Sequence, residues 1–434
     1  MRKGKACGLL GGLFLLLSAS LPFMGFLAPG SYSVTAGEPF HFNFPFAVER
    51  NLIVYSGDGT NRLSERAGEG GTGMYVADKP GLYRLNVKLF GLIPIRDVIV
   101  NALPQVKVIP GGQSIGVLMH TQGILVVGSA EVVDNSGRKI CPAADAGLKP
   151  GDIILRIDGV SVESEEEVRE MVSRAGEAGL SVLVEYKRGQ EIMASPINPV
   201  FCNEAGRYRI GLLIKDVTAG VGTITFYDPE SKVYGALGHV ITDGETSRPL
   251  EMTEGRIVGT VVQGINRGRR GQPGEKIGMF SHDGKINGLI TKNSRLGIFG
   301  KLQQAAGLER LEPVPVAPID QVHEGPAEIM TVLKGEQVDK FSVEIVRLNP
   351  NARSDGKGMI IKITDQRLID ETGGIVQGMS GSPILQDGKL AGAVTHVFVN
   401  DPTRGFGTFA EWMLWEAGII PGETGQSMTG RSFF

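Results

Sequence analysis

The run Gly378-Met379-Ser380-Gly381-Ser382-Pro383, with Gly373 and Gly374 just ahead of it, leaves the chain few conformations. Ile384 opens an apolar stretch, Asp387-Gly388 marks a turn, and a second apolar run extends from Leu390 to Val399. The pattern is that of a serine on a tight, glycine-bounded turn at the start of a β-hairpin. Gly378 and Gly381 permit a bend that aims several N–H groups at one spot. The amides of Gly378 and Ser380 are the candidate oxyanion hole, in which each donor is typically worth ~10²–10³ in rate. The plainer reading is a Gly/Ser-rich turn between strands. Ser382 is the poorer nucleophile because Pro383 follows it directly.

A nucleophilic serine needs a base. The chain has six histidines: His41, His120, His239, His282, His323 and His396. His239 ends the stretch Tyr234-Gly-Ala-Leu-Gly238, where an apolar strand meets small residues that leave room for a substrate. It lies far upstream of Ser380, as expected when histidine and serine sit on separate barrels. The serine segment resembles that of trypsin-like serine proteases, in which both barrels contribute to one site. His396 follows the serine on the hairpin and reads as a pocket wall or a structural residue. The carboxylates Asp243, Asp283, Asp320 and Asp365 all lie between histidine and serine, and spacing does not choose among them. Position 379 is Met, so activation by an ion pair between a carboxylate there and a new N-terminus is excluded.

A length of 434 residues exceeds one ordinary domain. With 62 glycines and 6% aromatics, the composition suits short strands and turns rather than a helical bundle. A net charge of −3 gives no electrostatic case for nucleic acid, and the basic cluster Arg267-Gly-Arg-Arg270 reads as a solvated loop. Cys7, Cys141 and Cys202 lack metal-ligand spacing. Free thiols are expected at Cys141 and Cys202, although an oxidising compartment would allow them to pair. Met1-Arg-Lys-Gly-Lys5 precedes the apolar run Leu9–Leu27, so residues 1–30 are expected to be a signal-anchor or signal peptide. Residues 31–104 read as a small all-β module and residues 105–200 as a PDZ domain. The PDZ reading rests on Pro142-Ala-Ala-Asp-Ala-Gly-Leu-Lys-Pro-Gly-Asp152 and the Asp158-Gly159 turn. Ser114, Ile115, Gly116 and Val117 resemble the PDZ loop that holds a peptide's terminal carboxylate, with a strand from Leu118 to pair with that peptide. Residues 201–434 complete the expectation, a mainly β chain ending in a double β-barrel protease domain.

Three stretches resemble the stage IV sporulation protein B peptidases of endospore-forming bacteria. They are Leu237-Gly-His-Val-Ile-Thr-Asp243, Lys362-Ile-Thr-Asp365, and Gly373-Gly-Ile-Val-Gln-Gly-Met-Ser-Gly-Ser-Pro-Ile384 continued by Thr395-His-Val-Phe-Val-Asn-Asp-Pro-Thr403. The resemblance implies a triad of His239, Asp365 and Ser380 that needs neither metal nor cofactor. It further implies a protease in the space between the forespore membranes, tethered by its N-terminal segment. Its substrates would be itself and a regulatory protein that restrains an intramembrane metalloprotease, and the outcome would be release of a sigma factor from its precursor. The rival readings are a quality-control PDZ protease, which carries its PDZ after the protease, and a PDZ scaffold without activity.

Overall fold

The computed structural model describes residues 31–41, 50–51, 63–66, 74–89, 93–242, 252–281, 285–305, 307–352 and 355–420. The expected membrane segment, Asp243, His282 and Asp283 lie outside the described residues. Among those described, no helix is long and apolar enough to cross a membrane.

Six strands close the first barrel: β1 (Ser114–Ser129), β2 (Leu212–Tyr227), β3 (Val233–Ala236), β4 (Met252–Asn266), β5 (Ile286–Ser294) and β6 (Gly297–Ala305). The antiparallel ring runs β1-β4-β5-β6-β3-β2 and back to β1. Closure leaves no free edge on the barrel. The second barrel comprises β7 (Gly325–Val332), β8 (Val338–Leu348), β9 (Met359–Ile363), β10 (Pro383–Gln386), β11 (Lys389–Phe398) and β12 (Asp401–Phe409), closed in the order β7-β8-β9-β12-β11-β10. Alternation fills its interior: Ile329, Phe341, Val343, Ile345, Ile361, Ile384 and Val394 are all buried. Phe409 and Trp412 seal its end, edge to face with ring centroids 4.8 Å apart.

β1 and β2 are 16 residues each, or ~50 Å at the usual rise. They outrun the barrel, and their far halves belong to the PDZ domain. Ile153–Ile157, Val182–Arg188 and Glu191–Ile197 extend the sheet from β1. The helix α1 (Glu165–Glu177) packs Val168 and Val172 into its core. A capping box starts α1: the Ser164 hydroxyl accepts from the Glu167 amide while the Glu167 carboxylate accepts from the Ser164 amide. The PDZ domain is therefore an insertion between the first two strands of the first barrel, spanning roughly Gly123 to Lys215. The expected boundaries at 105 and 200 are corrected accordingly. Lys107–Pro110 pairs with β2 and Val314–Pro315, and Ser114 onward belongs to the barrel.

The described residues between 31 and 104 form two small sheets over a core that includes Val34, Phe40, Tyr75, Tyr83, Val98 and Val100. This module docks on the second barrel. Lys389 Nζ donates to Glu38 at 2.7 Å and to Gln321 Oε1 at 2.8 Å, and the Ser33 amide donates to Asp320.

The strand Glu275–Phe280 flanks β4 and carries Lys276 into the seam between the barrels. Its ammonium, 4% exposed with the rest of the side chain, reaches Thr331 Oγ1 at 2.8 Å and Ser114 Oγ at 3.3 Å. Among the described residues no carboxylate pairs with it, and burial pushes its pKa down to about 7. In the unfolded chain a lysine holds its proton to about pH 10.4. Between these values the unfolded state binds more protons, so this group makes stability rise with pH from about 7 towards 10. Denaturant titrations across that range should show the rise in the parent and its loss in Lys276→Met; an unchanged slope in the variant would refute it.

Candidate active site

The helix α2 (Gln366–Thr372) ends at Gly373, and the chain then crosses to the serine turn. Every carbonyl from 377 to 382 has a donor. Gln377 O accepts from the Lys276 amide (2.9 Å), Met379 O from the Ser382 amide (2.9 Å), Ser380 O from the Thr223 amide (2.9 Å) and Ser382 O from the Val394 amide (2.9 Å). Gly378 O accepts from the Thr223 hydroxyl (2.7 Å) and Gly381 O from the Thr225 hydroxyl (2.8 Å). Four amides of the same six residues also have main-chain acceptors: 377 to Gly274, 379 to Val376, 381 to Val394 and 382 to Met379. Among the described residues, the amides of Gly378 and Ser380 alone in this turn have none. Two main-chain donors without internal partners, two residues apart on one turn, are the groups an oxyanion hole draws on. Gly381 is obligatory here: its φ is +94°, and a Cβ would stand 2.0 Å from the Thr223 carbonyl.

His239 follows β3 on a sharp exit. Leu237 has φ +68°, unusual for a side chain of this size, and is held there because it is buried in the first barrel's core. The imidazole Nδ1 lies 2.9 Å from the Val240 carbonyl. With Nδ1 donating, Nε2 keeps its lone pair, the form a general base needs. Burial lowers the His239 pKa, partly opposed by that carbonyl, so the ring is neutral at neutral pH. Asn293 fixes the segment after it, accepting from the Ile241 amide at 2.9 Å and donating to the Ile241 carbonyl at 3.0 Å.

Histidine and serine each reach neighbouring residues near the end of β11. The Ser380 hydroxyl donates to the Thr395 carbonyl at 2.7 Å. The next residue, His396, lies over His239 with ring centroids 4.7 Å apart and planes tilted by 40°. Its pKa is held below the ordinary value, first by desolvation of the ring and then by the charges of His239 and Lys357. His396 is thus a wall of the cleft, exposed at its rim.

Asp365 has partners of its own. It caps α2, with Oδ1 accepting from the Leu368 amide at 3.1 Å and Oδ2 from the Ser342 amide at 3.4 Å. Among the described contacts it makes none with His239, whose Nδ1 already has a carbonyl partner. Asp320 is likewise taken, by Ser33. Sequence reasoning missed Thr223, Thr225, Lys276 and Asn293. A weak signal existed for the threonines, which alternate with Ile224 and Phe226 in an otherwise apolar strand.

The expected carboxylate loop of the PDZ domain is also corrected. Ser114, Ile115, Gly116 and Val117 lie in β1 within the barrel, paired to β2 on one side. Ile115, Gly116 and Val117 are paired to β4 on the other side. A Cβ at Gly116 would meet the Phe280 ring at 2.4 Å. No edge remains there for a peptide. The edge that remains is on β2: Leu212–Lys215 pairs with β1 on one side only, and α1 stands along the other. Gly211, with φ +77°, opens that edge. Leu212 and Ile214 of β2 and Met171 and Ala175 of α1 are partly buried there. Cys141 and Cys202 are both free thiols.

Residues 206–414 match the SpoIVB peptidase S55 family, and residues 133–188 match the PDZ domain. Just under half of the chain, residues 206–414, is thus similar to the SpoIVB peptidases. Its matches among curated proteins are short. A protein of Clostridium perfringens described as a zinc metalloprotease is 34% identical over 83 residues, 19% of this chain and 22% of that one. A counterpart in Xylella fastidiosa is 28% identical over 106 residues, 24% of this chain and 22% of that one. The chain thus spans about a fifth of the length of the curated relatives it matches. Among solved structures, the PDZ domain of an SdrC-like protein from Listeria monocytogenes is 28% identical and covers 22% of this chain and 90% of its own, with a TM-score of 0.18. The inactive form of the Rv3671c protease is 15% identical, covers 46% of this chain and 85% of its own, and has a TM-score of 0.25. A Ser343Ala form of Rv3671c from M. tuberculosis is 13% identical and has the same TM-score of 0.25.

Within this SpoIVB-type site, Asp365→Asn separates a helix cap from a catalytic carboxylate. Asparagine caps as well as aspartate, so stability should hold within ~0.5 kcal/mol. From the geometry, kcat/KM should stay within a few-fold of the parent. A drop of ~10⁴, as for a triad aspartate, would return Asp365 to the imidazole and require the start of α2 to move.

Proposed function

We propose that this chain is a serine endopeptidase in which Ser380 is the nucleophile and His239 the base. The observation that carries the reading is the pair of amides at Gly378 and Ser380 without main-chain partners, on a turn whose other main-chain groups are all satisfied and near a neutral histidine. In the reaction the Ser380 hydroxyl turns from the Thr395 carbonyl to His239 Nε2, which takes its proton as Oγ attacks the scissile carbonyl. The oxyanion enters the two amides. His239 then protonates the leaving amine, and water repeats the sequence to free the acyl group. The chain's own groups suffice for each of these steps.

The PDZ groove between β2 and α1 is assigned to a peptide that adds a strand to the free edge of β2. The finer role rests on the family resemblance: a protease tethered by residues 1–30 and acting between the forespore membranes. There it would cut itself and a membrane regulator of an intramembrane metalloprotease during sporulation. The positive charges ahead of Leu9–Leu27 support translocation of the rest of the chain.

A fluorophosphonate should label the parent on Ser380, and Ser380→Ala should lose both the label and peptide cleavage while keeping its melting temperature. Equal turnover by Ser380→Ala would remove the assignment. For the groove, lysines at Met171 and Ala175 should change cleavage of a PDZ-engaging protein substrate several-fold and leave fluorophosphonate labelling untouched. Unaltered cleavage would reduce the PDZ domain to a spacer.

A further inference from the structure

We propose that Thr223, a residue of the first barrel, is a positioning residue for the oxyanion hole on the second. The inference rests on the serine-peptidase reading above. Thr223 is fully buried, and it grips both residues whose amides form the hole. Its hydroxyl donates to Gly378 O at 2.7 Å and its amide to Ser380 O at 2.9 Å.

These contacts anchor the peptide that follows each free amide, and so fix the Cα from which that amide projects. Gly378 has φ +90°, and a glycine has little conformational preference of its own. Its two flanking peptides are pinned through their carbonyls instead. The 377–378 peptide is held by the Lys276 amide, and the 378–379 peptide by the Thr223 hydroxyl. Without the hydroxyl, Gly378 O is a buried acceptor lacking a donor, a cost the turn can relieve by rotating that peptide. That peptide carries the Met379 amide, and its rotation displaces the Gly378 Cα it shares with the preceding peptide, drawing the Gly378 amide off the line to the oxyanion. The donor survives, but its direction is lost, and direction is what electrostatic preorganisation depends on. Thr225 differs in kind. Its hydroxyl holds Gly381 O, beyond both donors.

Thr223→Val removes the hydroxyl and keeps the shape, whereas Thr223→Ser keeps the hydroxyl and trims the methyl. Deleting an oxyanion donor outright costs ~10²–10³ in kcat. Misdirecting one in Thr223→Val should lower kcat ~10–100-fold, with KM within about twofold, because the hole is used in the transition state. The rate of Ser380 modification by a fluorophosphonate should fall in parallel. Thr223→Ser should restore both rates to within a few-fold of the parent. Amide hydrogen exchange supplies a readout independent of activity: the Met379 and Gly381 amides should exchange faster in Thr223→Val than in Thr223→Ser. If Thr223→Val fails to fold, Thr223→Ala takes its place in the comparison. A kcat in the valine or alanine variant equal to the parent's overturns the proposal. So does a serine variant as slow as valine, which would mean packing alone, or identical exchange in the two. A parent that neither cleaves nor labels defeats the peptidase reading itself, and the exchange comparison then decides the latch alone.

Discussion

The catalytic turn belongs to the second barrel by sequence, but its carbonyls are held largely by the first. A buried backbone carbonyl left without a donor costs as much as a lost hydrogen bond. Gly378, Met379, Gly381 and Ser382 are buried in the seam, so the neighbouring barrel supplies donors to the turn. Lys276 gives an amide, Thr223 an amide and a hydroxyl, and Thr225 a hydroxyl. The two barrels are therefore joined by more than apolar contact. Separating them would strip four carbonyls of their partners, and the hole exists only while they are docked.

The strand that makes most of these contacts also edges the peptide groove. β2 leaves the PDZ domain at Lys215 and reaches Thr223 within the same strand. An added strand on Leu212–Lys215 would thus act on the same element that grips Gly378 and Ser380. The register shift of β2 against β1 between Lys215 and Val217 is the softer joint on that path. Inserting the PDZ domain into the barrel, rather than appending it, is what creates this continuity.

What the sequence disclosed was local. The glycine-bounded serine turn, the small residues around His239 and the PDZ helix–turn signature all depend on neighbours within a dozen residues, and each was legible. What it concealed was pairing. Ser114-Ile-Gly-Val117 reads alike as a PDZ loop or as a barrel strand until its partners at Gly220–Thr223 and Ile257–Gly259 are known. Asp365 was chosen by resemblance, but an aspartate one residue before a helix is also what a cap looks like. Leu237 gave no sign of its left-handed backbone, because packing in the barrel imposes it.

Lys276 shows how the seam limits the charge it can carry. Its ammonium meets two hydroxyls and no described carboxylate, and its methylenes lie 3.1–3.2 Å from where a Cβ on Gly378 would stand. A fixed positive charge beneath the hole would favour the oxyanion, yet burying that charge without a counterion is expensive. The compromise is a group near its own titration point, neutral or charged at little difference in energy. Its main chain is spared the choice: the Lys276 amide holds Gln377 O in either state. The geometry of the hole is thereby separated from the protonation of the side chain that packs beneath it.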